Sequence, residues 1–251
     1  MIKTVLLCLE MAETVEPYKD DRSKKTQIKH MFDNIAHRYD FLNHFLSVGI
    51  DHTWRKQAVA QLVELKPKRI LDMATGTGDL AVALHKKFPD AEIDGIDLSP
   101  GMIKYGRAKM EKRGYEQVDL QVGDAEQLVS RNDAYDAITV GFGVRNFEDL
   151  QKGLKELHRV LRPGGRIVVL EFSQPRGAIF RPLFLFYFKN ILPLYGKFIS
   201  KDPKAYEYLF ESVQTFPAYE DFMRELQSAG FKTRYYKQLT FGVCCLYVAD
   251  K

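Results

Sequence analysis

Cysteine is scarce in this chain of 251 residues: Cys8, Cys244 and Cys245 are the whole supply. They form no CxxC pair, so neither a disulfide framework nor a thiolate metal cage is expected, and a reducing interior is the simpler setting. Long apolar runs are also missing. No stretch reaches the ~18 uncharged residues that cross a bilayer. The opening MIKTVLLCL is short for a signal-peptide core and is followed by Glu10, Glu13 and Glu16, so a cytoplasmic protein is expected. A surplus of one charge is missing as well. Lys plus Arg number 37 against 33 for Asp plus Glu, too even a balance to point to nucleic acid. Histidine clusters fare no better. His30, His37 and His44 fall seven residues apart, which on a helix is ~10 Å along the axis and too far for one ion with bonds of about 2 Å. No metal is expected.

What remains is an ordinary globular composition, 45% hydrophobic and 28% charged, enough for one large domain with a substantial core. From residue 69 strands alternate with helices. Arg69–Met73, Glu92–Asp97, Val118–Gly123, Tyr135–Phe142 and Arg166–Phe172 read as strands. Leu150, Leu154, Leu157 and Leu161 form one apolar helix face stopped by Pro163-Gly164-Gly165. Near the end, Phe231–Leu239 and Gly242–Ala249 are strands joined by a turn too short for a parallel crossover. A mostly parallel seven-stranded sheet finished by an antiparallel hairpin is the Rossmann-like α/β arrangement of class I S-adenosylmethionine (SAM)-dependent methyltransferases. The expected organisation is a disordered segment over 1–30 and a single domain over 31–251. Within that domain lie an N-terminal helical cap (31–66) and an aromatic insertion (175–218). Residues 1–10 read as an upstream-start artefact.

Between the first strand and the helix after it lies Asp72-Met73-Ala74-Thr75-Gly76-Thr77-Gly78-Asp79. Gly76 and Gly78 allow a tight turn and close approach of a ligand, and with Ala81 they also fit the dinucleotide pattern GxGxxA. Asp97, ending the second strand, stands where an acid grips a ribose. These features suit either NAD or SAM, and an NAD-dependent oxidoreductase is the alternative from a different class. Charge separates the two. A pyrophosphate wants backbone N–H groups without nearby anions, whereas Asp72 and Asp79 bracket this turn and suit the sulfonium and ammonium of SAM. Asp124-Ala125 after the third strand is the expected adenine contact.

Four motifs are more selective. They are Tyr39-Asp40-Phe41-Leu42-Asn43 with Leu46–Ile50 and Trp54; Phe142-Gly143-Val144-Arg145-Asn146; Arg159–Gly165 running on to Leu170-Glu171-Phe172-Ser173; and Leu239-Thr240-Phe241-Gly242-Val243-Cys244. Together they resemble the menaquinone/ubiquinone biosynthesis C-methyltransferase family over nearly the whole chain. The resemblance implies SAM as cofactor and methylation of a ring carbon of a polyprenylated quinol. A demethylmenaquinol is the leading substrate and a methoxy-benzoquinol of ubiquinone synthesis the alternative. It also implies catalysis at Arg145, with Asn146 and Tyr39 in support. Gly141 departs from members with a SAM-contacting Ser there, and Asp51 from members with His. Peripheral contact with the inner face of the membrane and a homodimer are further partners compatible with this reading. The aromatic run over 179–198 is read either as a packed hydrophobic cover or as a receptor for the isoprenoid tail. Trp54, Cys244 and Cys245 are read as packing residues.

Overall fold

The computed structural model describes residues 15–40, 47, 49–187, 190 and 204–251. Most of the expected disordered start (1–14), part of the first motif (41–46 and 48) and much of the aromatic insertion (188–189 and 191–203) lie outside the described residues.

Seven strands form one sheet: β1 (Arg69–Met73), β2 (Glu92–Asp97), β3 (Val118–Val122), β4 (Tyr135–Gly141), β5 (Leu161–Phe172), β6 (Lys232–Leu239) and β7 (Cys244–Asp250). Their order is β3-β2-β1-β4-β5-β7-β6. β1 to β5 are parallel, and β7 runs antiparallel to both β5 and β6. The expected fold is thus the one observed. β4 and β7 are buried at every residue but the last, the signature of strands covered on both faces. On one face Leu154, Leu157, Phe222 and Leu226 pack over the sheet; on the other Trp54, Leu80, Leu84 and Ile103 do. The outer strand β6 carries Lys232, Arg234 and Lys237, charges that discourage pairing at an open edge.

Eight helices are described: α1 (Lys24–Ile35), α2 (Asp51–Ala60), α3 (Asp79–Lys87), α4 (Pro100–Arg113), α5 (Leu150–Val160), α6 (Phe180–Phe186), α7 (Lys204–Thr215) and α8 (Glu220–Ser228). α1 starts inside the stretch expected to be disordered up to residue 30. Ser23 caps it, accepting the Thr26 N–H at 3.3 Å, and Ile28 and Met31 bury against Ala205 and Tyr208 of α7. α5 ends one residue before Leu161, which pairs with Tyr135 as the first residue of β5. Cys244 and Cys245 are fully buried in β7, and burial pushes both thiols up, Cys245 to about 12; both pack rather than react. Trp54 is buried against Phe142 and Phe172 and donates its indole N–H to Thr240 Oγ1 at 2.8 Å. It too is a packing anchor.

Candidate active site

The strand order reverses between β1 and β4, which opens a crevice at their carboxyl ends. Both turns there carry non-glycine residues in the left-handed region, Ala74 (φ 54°) after β1 and Phe142 (φ 60°) after β4. Such conformations cost energy and cluster at functional sites. The turns touch: a Cβ on Gly143 would lie 2.3 Å from Ala74 Cβ. The glycine in the Phe142–Asn146 motif therefore lets the β4 turn close on the β1 turn and brings Arg145 and Asn146 to the crevice.

A narrow cleft of about 70 Å³ lies there, bordered by Gly76, Asp97, Ser99, Asp124, Ala125 and Asn146. Asp97 Oδ2 accepts the Gly76 N–H at 2.8 Å and Oδ1 the Ser99 N–H at 2.9 Å. Burial raises its carboxyl to about 6, against these two stabilising bonds. Asp124 Oδ1 accepts the Glu126 N–H at 2.9 Å, while Oδ2 pairs with Lys25 Nζ at 2.7 Å. Gly141 lines the same cleft.

Three expected cofactor contacts sit differently. Asp72 is fully buried and accepts hydroxyl bonds from Thr75 and Thr139, both at 2.6 Å. It braces the turn from beneath, and burial raises it to about 6. Thr77 Oγ1 donates to Asp40 and receives Lys109 Nζ at 3.3 Å, so it borders a separate pocket of about 30 Å³ with Tyr39, Arg55 and Asp79. Gly78 adopts φ 83°, and a Cβ on it would lie 2.5 Å from Met110 Cε. That glycine admits α4; it does not border the cleft.

The donor set fits SAM. Asp72 and Asp79 flank the turn, Asp97 ends β2 against Gly76, and Asp124 closes the far end of the cleft; Lys109 and Arg55 pair with Asp79, and Lys25 with Asp124. Asp97, Asp124 and Ala125 would hold the adenosine, and the backbone around Gly76 the methionine end. Sequence reasoning missed the roof of this cleft. Lys25, Ile28 and Phe32 of α1 line it. Lys25 Nζ also reaches Glu126 at 3.0 Å, Lys24 Nζ donates to Phe147 O at 2.8 Å, and Asp33 Oδ1 accepts from Ser99 Oγ at 2.6 Å and the Gly101 N–H at 2.8 Å.

Beside the cleft opens a cavity of about 400 Å³ with walls that are mainly aromatic and aliphatic. Trp54, Phe172, Phe184, Tyr208 and Phe241 line it, and Arg145 contributes a cation. Phe32, Tyr39 and Phe142 border both spaces. Arg145 Nη1 donates to Glu171 Oε1 and to Phe142 O, each at 2.6 Å. Asn146 borders the narrow cleft, and its Oδ1 accepts the Tyr208 hydroxyl at 3.0 Å. Burial raises the Tyr208 phenol above its usual value, so it stays a donor. Asp51 is buried in an ion pair with Arg55 and accepts from Ser47 Oγ at 2.7 Å; it holds α2 in place. Among the described residues no cluster of His, Cys, Asp and Glu has a metal-binding arrangement.

The chain is similar to known proteins over most of its length. The model of the ubiE/COQ5 methyltransferase family matches residues 20–251. A demethylmenaquinone methyltransferase of Bacteroides fragilis is 44% identical over 95% of this chain and 98% of its own length. One from Thermus thermophilus is 49% identical over 88% of this chain and all of its own. A ubiquinone/menaquinone biosynthesis C-methyltransferase of Geotalea daltonii is 44% identical, covering 91% and 97%. Among solved structures, a SAM-dependent methyltransferase from Aquifex aeolicus superposes with a TM-score of 0.55 at 17% identity, over 76% of this chain and 88% of its own. The [4+2]-cyclase SpnF superposes at 0.68 and 16%, covering 90% and 96%; both likenesses concern the fold alone. The chain belongs to the ubiE/COQ5 methyltransferase family.

Proposed function

We propose that this methyltransferase uses SAM to methylate a ring carbon of a polyprenylated quinol, with a 2-demethylmenaquinol as its substrate. The carrying observation is the adjacency of two unlike spaces: an acid-lined cleft suited to SAM and an apolar cavity of about 400 Å³, with Tyr39 and Phe142 on the wall between them. A cavity of that size, apolar with a few convergent polar groups, suits a hydrophobic ring.

Bound in the cleft, SAM supplies an electrophilic methyl group on a sulfonium. The protein's part is to make a ring carbon nucleophilic and to aim it. A quinol becomes strongly nucleophilic when one hydroxyl ionises, so stabilising a phenolate is the main task. Arg145 stands at the cavity wall for this. Its guanidinium stays protonated at any working pH and is no base by itself. It offsets phenolate charge and orients a water that carries the proton away, electrostatic help of the kind that contributes ~3–4 kcal/mol. Tyr39, at the junction of the two spaces, orients the ring. Asn146 borders the cleft, held by Tyr208, which lines the cavity.

The names of the relatives favour the naphthoquinol over the benzoquinol. Competition between the two reduced quinols, each with the same tail, tests the choice: the demethylmenaquinol should be consumed first. Preferential consumption of the methoxy-benzoquinol would reverse it.

The tail also suggests where the protein works. Ile179, Leu183 and Phe186 on and beside α6 are exposed, and Phe241, 66% exposed, stacks on Phe180 at the cavity wall. Among the described residues no helix is long and apolar enough to cross a membrane. An apolar rim of this kind supports peripheral contact with the bilayer interface, where a long-tailed quinol resides.

A further inference from the structure

We infer that Glu171 is a positioning residue for methyl transfer, holding Arg145 at the cavity wall with its charge balanced until the phenolate forms. The inference rests on the reading of Arg145 as the electrostatic group of the proposed reaction. Glu171 lies next to the end of β5 and is fully buried. It does not border the cavity, whereas Arg145 does; whatever Glu171 contributes must pass through Arg145.

The geometry is specific. Glu171 Oε1 accepts Arg145 Nη1 at 2.6 Å and the Phe172 N–H at 2.9 Å, and Oε2 accepts the Arg145 backbone N–H at 3.3 Å. One carboxylate therefore grips both the head and the backbone of the same arginine. Phe142 O takes a second bond from Nη1, and the Phe172 ring lies 5.5 Å from the guanidinium carbon. Arg145 Nε is buried with no hydrogen-bond partner. The guanidinium is held through Nη1 beside the cavity that Arg145 borders.

Charge balance explains the pairing. A bare guanidinium in an aromatic wall would be costly and would attract any anion. With Glu171 beside it, the site is close to neutral toward a neutral quinol. A developing phenolate then draws on the guanidinium more strongly than the ground state does, and only such differential binding accelerates the reaction.

The test is a double-mutant cycle of Glu171→Gln and Arg145→Met in the full chain, read by steady-state kinetics and SAM calorimetry. Glu171→Gln should lower kcat by about tenfold or more while the quinol KM and SAM affinity stay within about twofold. Arg145→Met should lower kcat further, and the double variant should match Arg145→Met alone, because Glu171 has nothing left to position. The double variant strands no buried charge, so it folds even where a single variant does not. Glu171→Asp, which keeps the charge and withdraws it, should recover part of the loss. Losses that multiply in the double variant, or a Glu171→Gln enzyme with wild-type kcat beside an impaired Arg145→Met enzyme, would overturn the inference. Wild-type kcat in Arg145→Met would instead remove the Arg145 reading, and Glu171 with it.

Discussion

Asp97 is half-buried at the cleft and accepts two backbone N–H groups at 2.8 and 2.9 Å, and desolvation nevertheless raises its carboxyl to about 6. Its removal should leave the ribose hydroxyls of SAM with imperfect partners, costing roughly 1.5–3 kcal/mol, or about 10–150-fold in affinity. Calorimetry of Asp97→Ala decides this: parental SAM affinity would exclude the assignment. The same carboxylate makes a stability prediction. Its folded value, about 6, lies above the ordinary 3.8, so between those values the folded state holds the proton more tightly than the unfolded one. Stability contributed at this position is therefore greatest below about pH 4, falls as pH rises to about 6, and is constant above. Asp97→Asn does not titrate. Its melting temperature relative to wild type should climb from pH 4 to 6 and then level off; a flat difference throughout would contradict the raised value.

Among the elements, α1 carries the most unexpected role, for it spans the cofactor cleft from Lys24 and Lys25 on one lip to Asp33 on the other. A cleft of about 70 Å³ is below the ~300–1,000 Å³ of ordinary ligand sites, so outward movement of α1 on SAM entry is the expected outcome. Lys25 also occupies the Asp124 oxygen that an adenine amino group would use. Losing a latch worth about 1 kcal/mol should speed association about fivefold. Stopped-flow mixing of Lys25→Ala with SAM checks this; an unchanged association rate would show that α1 does not limit entry. Much of this element was legible. Ile28, Met31, Phe32 and Ile35 fall at i, i+3, i+4 and i+7, a helical stripe that the polar residues around it obscured. Its latches were not legible, because they depend on which acids the sheet brings within reach of Lys25 and which donors it brings to Asp33, more than sixty residues away in sequence. Likewise Glu171 stood in a quoted motif, but nothing in linear spacing shows that it faces Arg145. β1 and β2, in contrast, fall on the expected residues, since a continuous apolar or alternating run ending at a glycine turn or an acid fixes such strands locally.

For the molecule as a whole, the proposed function requires two properties to coexist: a sheet edge that would serve SAM and an aromatic side that would receive a polyprenylated quinol. The exposed rim at Leu183, Phe186 and Phe241 predicts that liposomes bind the protein and speed turnover of long-tailed substrate but not of a short-tailed one. Leu183→Ser with Phe186→Ser should weaken both effects. Equal turnover with and without liposomes would remove the membrane contact while leaving the chemistry intact. The chemistry itself is tested most directly by following the methyl group. With SAM bearing a deuterated methyl, a reduced demethylmenaquinone and the full-length protein, mass spectrometry and NMR of the product should find the label on a ring carbon, with both hydroxyls free. Label on a ring oxygen, as a methyl ether, or no transfer at all under reducing conditions would contradict this account.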